Sequence, residues 1–344
     1  MNIVVLAAGT STERDVSIST SRMVCKSLRR NGHNANMIDV FLGTDKYSNP
    51  DEFFNSNEDL DALSEELLAQ TKNISRLQEE RTKSKGGFFG PHVLDFCKAA
   101  DIVFIGLHGA NGEDGKIQAT FELLGIKYTG TDYISSAISM DKELTKKVLL
   151  SEGIPMPKGI SLKKGHKIEY VPFPCVVKPC CGGSSVGVSI ANNEEEFRKA
   201  IDEAFSYEDN IIVEEYVKGR EFSVAVIEGK ALPVIEIEPL KGFYDYKNKY
   251  SAGATKETCP ANIPEDVAKK MMRWAEKACE AAKITSYARV DELLNEDGEI
   301  FCLEINTLPG MTETSLIPQE AEAVGMNYDE LTQKLIDVSL KKYL

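Results

Sequence analysis

Near the end of the chain, residues able to do chemistry recur at two-residue spacing. Arg289 and Asp291 sit in one apolar run, Glu304 and Asn306 in the next, and the turn Asn295-Glu296-Asp297-Gly298 lies between them. An Asp-Gly turn joining two apolar runs predicts a β-hairpin. Strand side chains two apart share a face, so Arg289 points with Asp291 and Glu304 points with Asn306. Three oxygen donors and a guanidinium then converge on one patch. Such a set suits a hard divalent cation such as Mg²⁺ beside a group that receives an anion. The competing reading is a hairpin face turned to water. Pro309-Gly310 and Ser315-Leu316 follow, adding backbone amides and a hydroxyl next to the patch.

The elements that must position this chemistry are legible upstream. Residues 1–8 read as a buried strand, followed by Gly9-Thr10-Ser11-Thr12-Glu13 and a helix to about Arg30. That order opens a βαβ unit, whose ligands gather at the carboxyl ends of the strands. Glu13 stands at such an end, although first-turn helix stabilisation would equally explain an acidic residue there. A strand over 101–107 ends in His108-Gly109 and a glycine-rich turn, again on the ligand edge. Pro172 to Pro179 forms a short strand delivering Lys178, and Gly182-Gly183-Ser184-Ser185-Val186-Gly187 follows. This loop lacks Gly-Lys-Ser/Thr and joins strand to strand, so it is no Walker A loop, yet its amides and hydroxyls suit phosphate.

Strands over 34–40, 210–217, 220–227 and 231–237 are expected, with helices over 116–124, 133–152, 194–204 and 265–282. Between Gly43 and His92 the chain is polar, but Leu60, Leu63, Leu67, Ile74 and Leu77 form one helical stripe, predicting an inserted helix or helical pair packed on the first domain. The stretch 242–250 is rich in aromatics and lysine and reads as an ordered lid.

A chain of 344 residues implies two or three domains. No apolar run approaches the roughly 18–20 residues of a membrane span. The first residues read as a strand rather than a leader, so a cytoplasmic location is expected. A net charge of −14 argues against nucleic acid or an anionic membrane as partner. The eight cysteines include no Cys-x-x-Cys pair, which predicts reduced, mostly buried thiols.

The ordered motifs resemble the D-alanine:D-alanine ligases of the ATP-grasp superfamily. The resemblance rests on Gly9-Thr10-Ser11-x-Glu13-Arg14-x-Val16-Ser17, Leu107-His108-Gly109-x-x-Gly112-Glu113-Asp114-Gly115 and Ser139-Met140-Asp141-Lys142. It continues in Val177-Lys178-Pro179, Gly183-Ser184-Ser185-Val186-Gly187, Phe243-Tyr244-Asp245-Tyr246 with Lys249-Tyr250, and Glu304-x-Asn306-Thr307-x-Pro309-Gly310-Met311-Thr312 with Ser315-Leu316. It implies an α/β (α+β ATP-grasp) fold. A Rossmann-like parallel-sheet domain over 1–134 would precede a two-part ATP-grasp region of antiparallel sheets, over 135–219 and 220–344.

The implied activity is ATP-dependent joining of two D-alanines for peptidoglycan precursors, in a homodimer. By the resemblance, Lys142, Lys178 and Ser185 hold ATP phosphates, while Glu214, Glu215, Val217, Glu221 and Phe243 hold adenine and ribose. Asp291, Glu304 and Asn306 bind two Mg²⁺, with Mn²⁺ as a substitute. Glu13 takes the ammonium of the first D-alanine, Arg289 and the Gly310 amide its carboxylate, and Lys249, Ser315 and Leu316 the carboxylate of the second. Ser184 and Tyr250 close the lid, and His108 assists electrostatically or by handling a proton.

Three positions depart from the family pattern: Ala7-Ala8 before Gly9, Cys180-Cys181 in the flap stem, and Glu292 after Asp291. The cysteines raise the idea of a thiol-sensitive lid, and alternation should turn Glu292 away from the metal patch. Ligases making D-alanyl-D-serine or D-alanyl-D-lactate share this pattern and are the near rivals; Lys249-Tyr250 favours D-alanine. A catalytically silent nucleotide-binding regulator would not need Glu13, Arg289, Asp291, Glu304 and Asn306 together.

Overall fold

A computed structural model of the chain describes residues 1–166, 172–240, 254–312 and 314–344, so Phe243, Lys249 and Tyr250 lie outside the described residues. The chain divides into two compact units: residues 1–136, 285–287 and 307–344 form the first, and residues 137–284 and 288–306 the second. The segment 307–344, read from sequence with the C-terminal subdomain, groups with the N-terminal unit.

The first unit is built on a parallel sheet of β1 (Asn2–Ala7), β2 (Asn34–Asp39) and β3 (Ile102–Ile105), in the order β2-β1-β3. Ile3, Val4, Val5 and Leu6 are wholly buried, as a continuous apolar run in a strand covered on both faces requires. Beside β3 lies a single isolated parallel bridge, Val103 to Tyr128. Helix α1 (Arg14–Arg30) follows the turn after β1. Its Ser17 accepts the Ala8 N–H at 2.8 Å and donates to the Gly106 carbonyl at 2.6 Å, tying that turn to the end of β3.

The inserted region folds as α2 (Pro50–Asn55), α3 (Leu60–Gln70) and α4 (Ile74–Lys83), with a 3₁₀ turn at Thr71–Asn73, before α5 (Val93–Ala99). The apolar stripe spans two helices: Leu60, Leu67 and Ile74 are buried, and Leu77 packs partly buried on the core of this unit. Arg14 fastens the insertion. Its guanidinium meets Asp39 at 2.5 Å, the Gly9 carbonyl at 2.7 Å and the Leu67 carbonyl at 3.4 Å. Helix α6 (Lys116–Leu124) runs as expected and ends at Gly125, whose φ is +67°.

The single helix expected over 133–152 is two: α7 (Tyr133–Met140) and α8 (Lys142–Ser151). Asp141 caps the second, accepting the N–H groups of Glu143 and Leu144 at 2.9 and 3.0 Å. A residue committed to the extended backbone of an N-cap ends the helix before it.

Two sheets make up the second unit. β4 (Gly159–Lys163), β5 (Cys175–Pro179), β6 (Ser189–Ala191) and β7 (Asn210–Glu215) pair antiparallel in the order β4-β7-β5-β6. Helix α9 (Glu194–Tyr207), capped by Asn193, buries Phe197, Ala200, Ile201 and Ala204 in the same core. The larger sheet contains β8 (Gly219–Ile227), β9 (Lys230–Ala231), β10 (Ile235–Pro239), β11 (Thr255–Thr258), β12 (Tyr287–Asn295) and β13 (Ile300–Asn306). Helix α10 (Glu265–Ala281) turns Met271, Ala275 and Ala278 into its core.

The chain then returns to the first unit as α11 (Leu316–Glu322) and α12 (Tyr328–Leu340), the latter opened by a reciprocal Asn327–Glu330 capping box. Helix α12 packs on α1 and β3. Asp329 receives Ser27 at 2.6 Å and Arg30 at 2.6 and 2.8 Å. Among the described residues, no helix is long and apolar enough to cross a membrane.

Candidate active site

The second unit encloses a cavity of about 210 Å³. Lys142, Lys178, Ser185, Glu214, Glu215, Val217, Glu221, Asp291 and Glu304 all line it, so every described residue assigned to the nucleotide faces one space. Val176, Ile190, Phe222, Ile237, Leu293 and Leu303 supply apolar walls, the surroundings that suit a flat heterocycle.

Strand alternation delivers Lys178 and Glu214 from the paired strands β5 and β7. Lys178 Nζ lies 2.5 Å from one Glu214 oxygen and Lys146 Nζ 2.6 Å from the other. Burial opposes both charges, yet each outcome is set by the partner. Lys178 is held above its ordinary pKa by Glu214 and Glu304, and Glu214 below its own by the two lysines. Lys142, the first residue of α8, donates from Nζ to the Gly182 carbonyl at 2.6 Å and approaches Glu304 at 3.5 Å. Its backbone N–H bonds the Cys180 carbonyl at 2.9 Å. Helix start and glycine-rich loop are therefore one assembly. In that loop Ser184 and Ser185 adopt φ of 50° and 58°, a left-handed backbone uncommon for residues bearing a Cβ.

The predicted hairpin is β12 and β13. Its register sets Arg289 opposite Asn306 and Asp291 opposite Glu304. Arg289 binds Asp291 through both Nε and Nη2 at 2.8 Å, Ser223 donates to Asp291 Oδ1 at 2.8 Å, and Asn306 Nδ2 stands 3.1 Å from Asp291 Oδ2. Among the described residues, no cluster of three or more His, Cys, Asp or Glu side chains could hold a metal. The set here is two carboxylates and one amide, sparse but all oxygen, which fits Mg²⁺ bound with few protein ligands beside phosphate.

The ladder slips between Asp291 and Glu292, and Glu292 pairs with Cys302. Its side chain is wholly buried, with neither carboxylate oxygen hydrogen-bonded among the described residues. Burial, and then the charge of Asp291, push it well above the ordinary carboxylate range. The thiol of Cys180 is pushed up to about 12 by burial and then by Asp141 and neighbouring carboxylates. It stays protonated near neutral pH, and the thiolate is the reactive form.

Glu13, His108, Gly310, Ser315 and Leu316 belong to the first unit, whereas Arg289 and Ser184 belong to the second. Glu13 occupies the N-cap position of α1 and makes no side-chain cap bond there. Its carboxylate lies against the turn after β3: a Cβ on Gly109 would come within 2.5 Å of Glu13 Oε2. Ser11 holds the same turn by donating to the His108 carbonyl at 2.7 Å. Glu113 accepts the Gly109 N–H at 2.7 Å and the Leu308 N–H at 3.3 Å. Ser315 accepts the Thr312 N–H at 2.9 Å, and a Cβ on Gly310 would approach Ser315 Oγ to 2.8 Å.

Sequence reasoning missed Lys146, Ser223, Thr20 and the bridging role of Glu113. Lys146 follows Lys142 by one helical turn, and Ser223 follows Glu221 by two along β8, so periodicity held a signal for both. The bridge made by Glu113 joins residues about 200 apart in sequence and left no local trace.

Comparison with known proteins converges on one family. The family model described as D-ala D-ala ligase N-terminus matches residues 2–131, and D-ala D-ala ligase C-terminus matches 156–337. A D-alanine–D-alanine ligase of Pediococcus pentosaceus is 42% identical, covering 100% of this chain and 99% of its own. Among solved structures, the D-alanine–D-alanine ligase of Bacillus anthracis complexed with ATP superposes with a TM-score of 0.73 at 30% identity, covering 99% of this chain and 98% of that one. A D-Ala:D-Ser ligase from Enterococcus faecalis gives a TM-score of 0.74 at 28% identity, covering 98% of each chain. With both halves matched by the family models and a full-length relative at 42% identity, the chain belongs to the D-alanine–D-alanine ligase family of the ATP-grasp superfamily.

Proposed function

We propose that the protein joins two D-alanines to D-alanyl-D-alanine, converting ATP to ADP and phosphate, as a cytoplasmic homodimer serving peptidoglycan synthesis. The observation that carries the reading is the cavity in which Lys142, Lys178, Asp291 and Glu304 face one another between apolar walls. A carboxylate is a poor electrophile, so the carboxylate of the first D-alanine is phosphorylated by ATP. Lys142 and Lys178 neutralise charge on the transferring phosphoryl group. Mg²⁺ at Asp291, Glu304 and Asn306 would supply further charge neutralisation when bound. Glu214 keeps Lys178 ionised, and Lys146 shares that carboxylate.

Glu13 receives the ammonium of the first D-alanine. Arg289 and the Gly310 N–H receive its carboxylate, and later the oxyanion formed when the amine of the second D-alanine attacks the acyl phosphate. The C–N bond forms in that attack, and phosphate leaves when the oxyanion collapses to the amide. Ser315 and Leu316, with Lys249, take the carboxylate of the second D-alanine. Ser184 and Tyr250 close a lid over the acyl phosphate, because water would hydrolyse it.

The test is ADP release measured with D-alanine, D-serine, D-lactate and L-alanine, with products identified by mass. D-alanine alone should sustain Mg²⁺-dependent turnover and yield the dipeptide. Turnover only when D-serine or D-lactate is added would reassign the second substrate, and no turnover with any would sink the ligase reading.

A further inference from the structure

We infer that Thr20, which no motif assigned to the site, is a positioning residue for the ligation step; the inference rests on the ligase reading above. Thr20 lies on α1, two helical turns from Glu13 and on the same face, with 1% of its surface exposed. Its Oγ1 stands 3.0 Å from His108 Nε2 and accepts the Met311 N–H at 3.3 Å. On the far side of the ring, His108 Nδ1 meets the Leu308 carbonyl at 2.9 Å. A carbonyl can only accept, which assigns a ring proton to Nδ1; with the ring neutral, Nε2 then accepts from the Thr20 hydroxyl. The polarity then runs one way: Met311 N–H to Thr20, Thr20 O–H to His108, and His108 N–H to Leu308.

This chain fastens both ends of Leu308-Pro309-Gly310-Met311. Glu113 adds a third fastening at the Leu308 N–H, and Pro309 has no N–H and a fixed φ. Held between them is Gly310, whose own N–H donates to nothing among the described residues. An oxyanion donor works only if it waits, already aimed, where charge will develop. Thr20 and His108 act by holding that amide. The buried ring with both nitrogens engaged makes His108 a positioning residue too, rather than a proton carrier.

Thr20→Val and Thr20→Ala remove the hydroxyl, and Thr20→Ser keeps it; the full-length protein is assayed with ATP, Mg²⁺ and D-alanine. Both hydroxyl-free variants should lose about 10- to 100-fold in kcat, below the roughly 10²–10³ of deleting an oxyanion donor outright. ATP KM should stay within about twofold, and the serine variant should recover most of the rate. Unchanged kcat in a folded valine or alanine variant overturns the inference, as does equal loss in the serine variant or a parallel loss of ATP binding. Wild-type activity is measured alongside: its absence with D-alanine would overturn the ligase reading itself, whereas an active wild type with indifferent Thr20 variants overturns only this inference.

Discussion

At the scale of single residues, Glu292 is the place where the chain works against itself. A carboxyl in a fully buried strand position, facing Cys302 and with no hydrogen bond among the described residues, is stable only when protonated. Its pKa is raised, first by burial and then by Asp291. The sign follows directly: the stability this group permits is fully present below its unfolded value near 4.5 and is lost as pH rises through the raised folded value. Methionine has a similar volume and no charge to bury. Glu292→Met should therefore stabilise the protein at neutral pH, by about 1–3 kcal/mol, with an advantage that shrinks toward pH 4.5. Urea titrations of both proteins across pH would reveal it, and a variant less stable at every pH would show that the carboxyl has a partner worth keeping. Alternation predicts that Glu292 turns from the metal patch. The ladder slips at that position, which alternation does not predict because a bulge depends on the partner strand, and Glu292 lines the same cavity as Asp291 and Glu304.

At the scale of elements, the break at Asp141 matters more than either helix it separates. Apolar periodicity runs through 133–152 without interruption, so the pattern predicts one helix, and only the cap geometry divides it. The division puts Lys142 at a helix start, bonded through its backbone to Cys180 and through its ammonium to Gly182. Asp141→Ala removes a cap that accepts two N–H groups, and should cost about 1 kcal/mol. Lys142 should lose its fixed approach to the loop, so ATP KM should rise several-fold while KM for D-alanine stays put. A D-alanine KM that rises with it, or an ATP KM that does not move, would mean the cap serves stability alone. Elements such as β1 and the β12–β13 hairpin were legible because each announces itself within a few residues. Helices α11 and α12 and strand β4 were not, because their membership depends on long-range packing.

At the scale of the whole molecule, the two units are not two halves of the chain. Residues 285–287 and 307–344 belong with 1–136, and the last α-helix packs on α1 and β3 of that unit. Helix α12 buries Leu331, Leu335 and Ile336 completely and holds α1 through Asp329. Motif order predicts a serial division, because motifs list chemistry along the chain and are silent about which core a helix fills. Leu335→Ala should cost about 2–5 kcal/mol, the range for deleting buried leucine methyl groups. The loss should fall on the first unit. Amide hydrogens of β1, β2 and β3 should exchange faster, while those of β5 and β7 keep their protection. Function should divide in the same way: nucleotide binding, built from the second unit's cavity, should persist, and turnover should fall because Glu13, Gly310 and Ser315 stand in the weakened unit. If β5 and β7 lost protection first, or ATP binding failed before turnover, the terminal helix would have to be stabilising the second unit, contrary to where its side chains are buried.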